Sequence, residues 1–135
     1  MSDYKKRRQR GMALLKKMGR EELMLDQKTL YPDLYEMSVG HLFGDVWARP
    51  GLTLRERQLI TLAANIALAR PSGNYSHYRS AKHIGITHKE ICEVMIQVGH
   101  YAGWPTVSNA VRQYTAVLEE EKEIKAGKKR KPTLV

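Results

Sequence analysis

The sequence predicts an all-α protein, a single-domain helical bundle. Apolar residues recur at three- and four-residue spacing through most of the chain. No segment of useful length alternates with the two-residue period of a strand. Two Thr-x-x-Glu signatures of a helix start, Thr53/Glu56 and Thr87/Glu90, each precede an apolar run. With 135 residues, 42% of them apolar and 27% charged, the chain can build one domain with one modest core.

Taken in order, "RRQRGMALLKKMGREEL" reads as a basic amphipathic helix with Met12, Leu14, Leu15 and Met18 on its apolar side and Gly19 at its stop. A second helix begins near Pro32, where proline suits the first turn. Its expected face is Leu34, Met37, Val39, Leu42, Phe43, Val46 and Trp47. The helix opened by Thr53 is apolar nearly all round, from Leu59 through Leu68. Such a helix sits centrally in a bundle or is covered by another subunit. "PSGNYSHYRSAKHIG" predicts a short helix capped near Ser72 or Asn74 and stopped at Gly85. After Thr87, the stripe Ile91, Val94, Met95, Val98 and Tyr101 predicts a helix ended by Gly103 and Pro105. The last helix carries Val107, Ala110, Val111, Tyr114, Val117 and Leu118 on one face before it turns wholly charged. The expected organisation is a basic N-terminal helix or arm over 1–20, a helical domain over 21–125 and a basic unstructured tail over 126–135.

The net charge of +9 suggests a polyanion partner until it is divided along the chain. Residues 1–20 hold eight Lys/Arg and one Asp, residues 126–135 hold four Lys/Arg and no acid, and the body between them is slightly acidic. Basic ends of this kind are solvated tails that bind polyanions weakly. No aromatic platform or reading helix for nucleic acid accompanies them. No apolar run reaches the length of a membrane span, and no apolar segment backs the N-terminal charges as in a secretory signal. The lone Cys92 excludes an internal disulfide and fits a reducing, cytoplasmic setting.

Of the five histidines, none has the spacing of a zinc-binding His-Glu-x-x-His motif, so no metal site is expected. There is no Gly-rich phosphate loop and no Gly-x-Ser-x-Gly elbow. His83, His88 and His100 read as structural or solvated. His41 and His77 are the candidates for chemistry. His77 shares a face with Ala81 and Ile84 between two tyrosines, as a satisfied core histidine or as a proton donor and acceptor in a partly apolar cleft. Arg55 and Arg57 lie in the first turn of their helix, where cations oppose the helix dipole. They read as surface ion pairs with Glu56 or Asp45, or as an anion site, with Arg57 the inward-facing choice.

Two stretches carry a family likeness. "HLFGDVWARPGLTLRERQLITLA" and "HYRSAKHIGITHKEICEVMIQVGHYAGWPTVSNAV" resemble the two halves of the carboxymuconolactone decarboxylase signature. In that signature a His and small residues are followed by Gly-Val/Ile-Thr, Glu-Ile, Tyr-x-Gly-x-Pro and a small-residue helix. The match covers about residues 30–120, and "GMALLKKMG" resembles the leader helix of the decarboxylase branch. The resemblance implies the all-α fold of alkylhydroperoxidase-D-like proteins and a homo-oligomer, trimer or hexamer, with sites near subunit contacts. The redox branch needs Cys-x-x-Cys at the short helix. The corresponding "NYSHYRSAKH" has no cysteine, so thiol peroxidase chemistry is excluded there.

The decarboxylase branch implies a small anionic lactone or carboxylic acid as substrate and no cofactor, since the unsaturated lactone accepts the electrons its carboxylate leaves behind. By the same resemblance Arg57 anchors the acid with Arg55 beside it, His77 is the general acid, Trp47 and Tyr101 wall the pocket, and His41 is a polar donor. One position departs: where decarboxylase-like members often carry Glu four residues before the histidine, this chain has Gly73, and Asn74 is the expected neutral substitute for orienting His77. The alternatives are a diverged enzyme for another enolisable acid or lactone, and an oligomeric binding protein without catalysis.

Overall fold

A computed structural model describes residues 3–22, 25–70 and 73–128. Every regular element among them is helical: α1 (Asp3–Lys17), α2 (Leu25–Leu30), α3 (Pro32–Glu36) running on into a wide-turned π-helix (Met37–Val46), α4 (Leu54–Ala67), α5 (Gly73–Ala81) with a 3₁₀ turn (Lys82–Ile84), α6 (His88–Ala102) and α7 (Trp104–Lys125). The all-α expectation holds. The proposed Ser72 cap and the stretch from 129 lie outside the described residues. Two compact units divide the chain inside α4, between Arg57 and Gln58.

In the first unit α1 lies against the π-helix at a crossing made by two glycines. A methyl on Gly11 would overlap the Val39 carbonyl oxygen, and one on Gly44 would overlap the Arg7 carbonyl oxygen. Around that crossing Leu15, Met18, Val39, Phe43 and Trp47 are buried, each large side chain contributing about 1.5–3 kcal/mol. The buried row runs Tyr35, Val39, Phe43, Trp47, every fourth residue, and Trp47 N–H donates to Leu42 O five residues back at 2.9 Å. The face expected from the sequence mixes this row with Leu34, Met37, Leu42 and Val46, which are exposed. Wider turns keep a four-residue row in line, so a 3.6-residue period misplaces half the face.

The basic residues of α1 are also less solvated than their composition suggests. Arg7 and Arg10 pair with Asp45 at 3.2 and 3.0 Å, and Arg8 pairs with Glu36. The N-terminal charge is thus partly spent within the unit, because helix 32–46 brings its acids to the face that α1 covers.

The second unit is built on one core: Leu62 and Ile66 of α4, Tyr78 and Ala81 of α5, Ile86, Ile91, Met95 and Val98 around α6, and Val107, Ala110, Tyr114 and Val117 of α7. Both expected capping boxes are present. Thr53 and Glu56 exchange bonds of 3.0 and 3.1 Å, and Thr87 and Glu90 bonds of 3.1 and 3.2 Å. Gly85 ends the 3₁₀ turn at φ 77°, in the left-handed region that glycine enters without a Cβ penalty. A buried ion pair, Arg79 Nε to Glu120 Oε2 at 2.7 Å, ties α5 to α7. Breaking a buried pair from one side costs about 3–5 kcal/mol. Among the described residues no helix is long and apolar enough to cross a membrane.

Candidate active site

α5 is short, and nearly all of it is buried, His77 included, with a relative exposure of 9%. What meets it is Gln58. On α4 the buried row is Gln58, Leu62, Ile66, one residue per turn, so the row that feeds the core starts with a carboxamide. Gln58 is fully buried, and a buried amide must be satisfied. It is satisfied almost entirely by one residue. Nε2 donates to the His77 carbonyl at 2.6 Å and to Ser80 Oγ at 3.1 Å, and Oε1 faces His77 Nδ1 at 3.2 Å. Ser80 Oγ donates in turn to the same carbonyl at 3.2 Å.

This clamp decides a tautomer. The 2.6 Å approach to a carbonyl oxygen settles which end of the Gln58 carboxamide is nitrogen. Its oxygen then faces the ring and can only accept. Nδ1 therefore carries the proton, and the neutral ring has its lone pair at Nε2. Nε2 gains a hydrogen only in the imidazolium form, so it is the atom through which His77 can take up or deliver a proton.

Asn74 does not orient His77. Its Nδ2 reaches Leu62 O at 3.4 Å and the Tyr78 hydroxyl at 3.3 Å, one turn on along α5. The amide nitrogen is spent on Leu62 of α4 and Tyr78 of α5, and Oδ1 is buried without a hydrogen-bond partner among the described residues. Burial pushes the Tyr78 phenol up, with the Asn74 bond pulling the other way and Tyr114 adding to the rise, so Tyr78 stays protonated. Gly73 is exposed at the first position of α5, and a Cβ there would meet Asn65 and Arg70 only at ordinary contact distance. Packing does not require glycine there, and the group that orients the histidine comes from α4 instead.

Of the other expected site residues, His41, Trp47, Arg55 and Arg57 belong to the first unit and Tyr101 to the second. Arg57 Nη2 donates to the Arg49 carbonyl at 3.0 Å, bracing the turn before α4, and Arg55 is half-buried in the same first turn. Hydrogen bonding from the Thr53 backbone and hydroxyl holds the Glu56 carboxyl below its ordinary value, against partial desolvation and with help from Arg57. Asp45 is taken by Arg7 and Arg10, and also faces His41 at 3.4 Å, so it does not serve Arg55 or Arg57 as their expected ion-pair partner. His41 is exposed. Trp47 is buried beside Phe43, ring centroids 5.6 Å apart, and its edge lines a cleft with Leu14, Lys17 and Arg49. Tyr101 is 86% exposed at the end of α6, outside the buried stripe that Ile91, Met95 and Val98 form. His88 faces solvent yet bonds Tyr114 Oη through Nδ1 at 2.9 Å.

Gln58 and Ser80 are the residues that sequence reasoning missed. The signal was present: Gln58 is a polar residue one turn before Leu62 and two before Ile66, directly ahead of the stretch read as apolar nearly all round.

Comparison with known proteins agrees with this framework. The carboxymuconolactone decarboxylase family profile matches residues 32–116. The chain is 33% identical over 78 residues to a 4-carboxymuconolactone decarboxylase of Acinetobacter baylyi, covering 58% of each chain. It is 35% identical over 76 residues to a nitrosuccinic acid decarboxylase of Metarhizium robertsii, covering 56% of this chain and 53% of that one. Over 98 residues it is 33% identical to a 15.0 kDa protein of Paracoccus denitrificans, covering 70% of this chain and 69% of that one. The match thus spans a little over half the length of the two named decarboxylases. The profile takes in the end of the first unit, the Gln58–His77 clamp and most of the second unit's core, and on that match the chain belongs to the carboxymuconolactone decarboxylase family.

Proposed function

We propose that the protein is a cofactor-free carboxy-lyase acting on a small carboxylic acid that carries its own electron sink, with His77 as the proton donor. The observation that carries this reading is the Gln58 clamp: a buried imidazole whose Nδ1 proton is held by a neutral amide and whose exchangeable position is Nε2. The named relatives support the substrate class. A butenolide and a nitro group are both groups into which the electrons of a departing carboxylate can flow, and the two decarboxylases are named for a carboxymuconolactone and for nitrosuccinic acid.

The chemistry is short. The bond from the carboxylate to the carbon that bears it breaks, carbon dioxide leaves, and the electron pair moves into the adjoining acceptor group. The imidazolium of His77 then gives its Nε2 proton to carbon, and the neutral ring takes another from water. An environment poor in water favours loss of the carboxylate's charge. Arg57, Arg55, Trp47, His41 and Tyr101 are proposed as substrate-contacting residues on the family motif, each to be tested by alanine substitution through KM. Self-association is part of the proposal. Ile60 and Leu68 on α4 are 54% and 62% exposed in the single chain, with Ala64 between them on the same side.

The test is carbon dioxide release by the full chain from carboxymuconolactone, generated in situ, and from nitrosuccinate. Turnover of either supports the lyase. A folded protein that releases carbon dioxide from neither contradicts it and leaves a binding role for the fold.

A further inference from the structure

The first unit contains a cleft of about 390 Å³, within the range of small-molecule sites. One wall is a single face of α1: Arg10, Ala13, Leu14 and Lys17, at successive three- and four-residue steps. The other is the turn after the π-helix, with Trp47, Arg49, Leu52 and Leu54. The floor is apolar and three cations stand around it. They are not equivalent. Arg10 is already engaged, donating to Gly44 O and to Asp45 Oδ1, both at 3.0 Å. Lys17 and Arg49 are exposed, and neither has a carboxylate within ion-pair reach among the described residues. The Arg49 backbone is itself pinned, since its carbonyl accepts from Arg57 at 3.0 Å.

We propose that this cleft binds a small carboxylate with a flat apolar body, the carboxylate held between Lys17 and Arg49 and the body lying on Leu14, Leu52 and the edge of Trp47. Two cations without acidic partners at the rim of an apolar concavity complement that ligand in charge and in surface. A purely apolar molecule would leave the cations unused, and a small inorganic anion would leave the floor wet. In this arrangement Arg57 braces the turn that carries Arg49. The inference rests on the decarboxylase reading only for the choice of a small carboxylic acid, and binding is measured without turnover.

The protein has two tryptophans, so Trp104→Phe leaves Trp47 as the only indole. In that background, 3-phenylpropionate is titrated against Trp47 emission and by calorimetry, beside 3-phenylpropionamide and inorganic phosphate. The expected result is saturable binding of the acid and none of the amide or of phosphate alone. Lys17→Gln/Arg49→Gln should weaken the acid at least about tenfold, as loss of charge-assisted contacts requires. Binding of the amide equal to that of the acid, an unchanged isotherm in the double variant, or no saturable signal overturns the cleft. If Lys17 serves only the C-terminal dipole of α1, Lys17→Gln lowers Tm and leaves the isotherm unmoved, which also overturns it. Turnover without binding here sinks this inference alone, and binding here without turnover sinks the lyase alone.

Discussion

Gln58 holds His77 at two points, the backbone carbonyl and the ring, so its removal should act twice. Gln58→Ala removes the Nε2 bond to the His77 carbonyl and frees the ring to change tautomer. It should cost about 1–3 kcal/mol of stability by denaturant titration, and should lower kcat more than it raises KM. Gln58→Glu separates the orienting role from the charge. A carboxylate facing Nδ1 favours the imidazolium, so the pH above which activity falls should move upward. A structural role alone would lower stability and leave the pH profile in place. His77 itself was legible in the sequence, from its motif. Its partner was not, because the group expected four residues earlier is supplied across the fold, nineteen positions away in sequence, where local spacing carries no information.

The same division between local and distant causes governs the elements. Both capping boxes were legible because each is closed within four residues. The crossing of α1 with the π-helix was not, since Gly11 and Gly44 acquire their role only when thirty-three residues of chain bring them together. Gly11→Ala should therefore destabilise the protein by about 1–3 kcal/mol, seen as a lowered Tm, although alanine is the better helix former. An unchanged Tm would mean that the helices separate without cost.

The carboxyl groups of the first unit bear on acid stability. Hydrogen bonds from Thr53 hold Glu56 below its ordinary value despite some desolvation. Partial burial raises Asp45, but His41, Arg10 and Arg7 more than offset it. Groups lowered on folding contribute fully above the ordinary carboxylate range, and the contribution is lost as pH falls through and below it. Urea midpoints should fall between neutral pH and pH values below that range. The fall should be shallower in Glu56→Gln, which keeps the Thr53 bond and drops the charge.

For the whole molecule, the sequence offered two readings of α4, central in a bundle or covered by another subunit. The single chain buries Gln58, Leu62 and Ile66 and leaves Ile60 and Leu68 exposed on another side, the side on which we propose self-association. Ile60→Asp/Leu68→Asp should reduce the molar mass measured by light scattering while far-ultraviolet circular dichroism is unchanged. The same mass in the variant would remove α4 from the interface.

The most direct measurement is the conversion of carboxymuconolactone by wild type and His77→Gln side by side, at matched fold and oligomeric state, followed by ultraviolet absorbance and carbon dioxide release. His77 as the proton donor requires turnover by wild type and a loss of about 10²–10⁴-fold in kcat in the variant. Equal turnover by the two proteins would contradict the assignment of His77 as the donor.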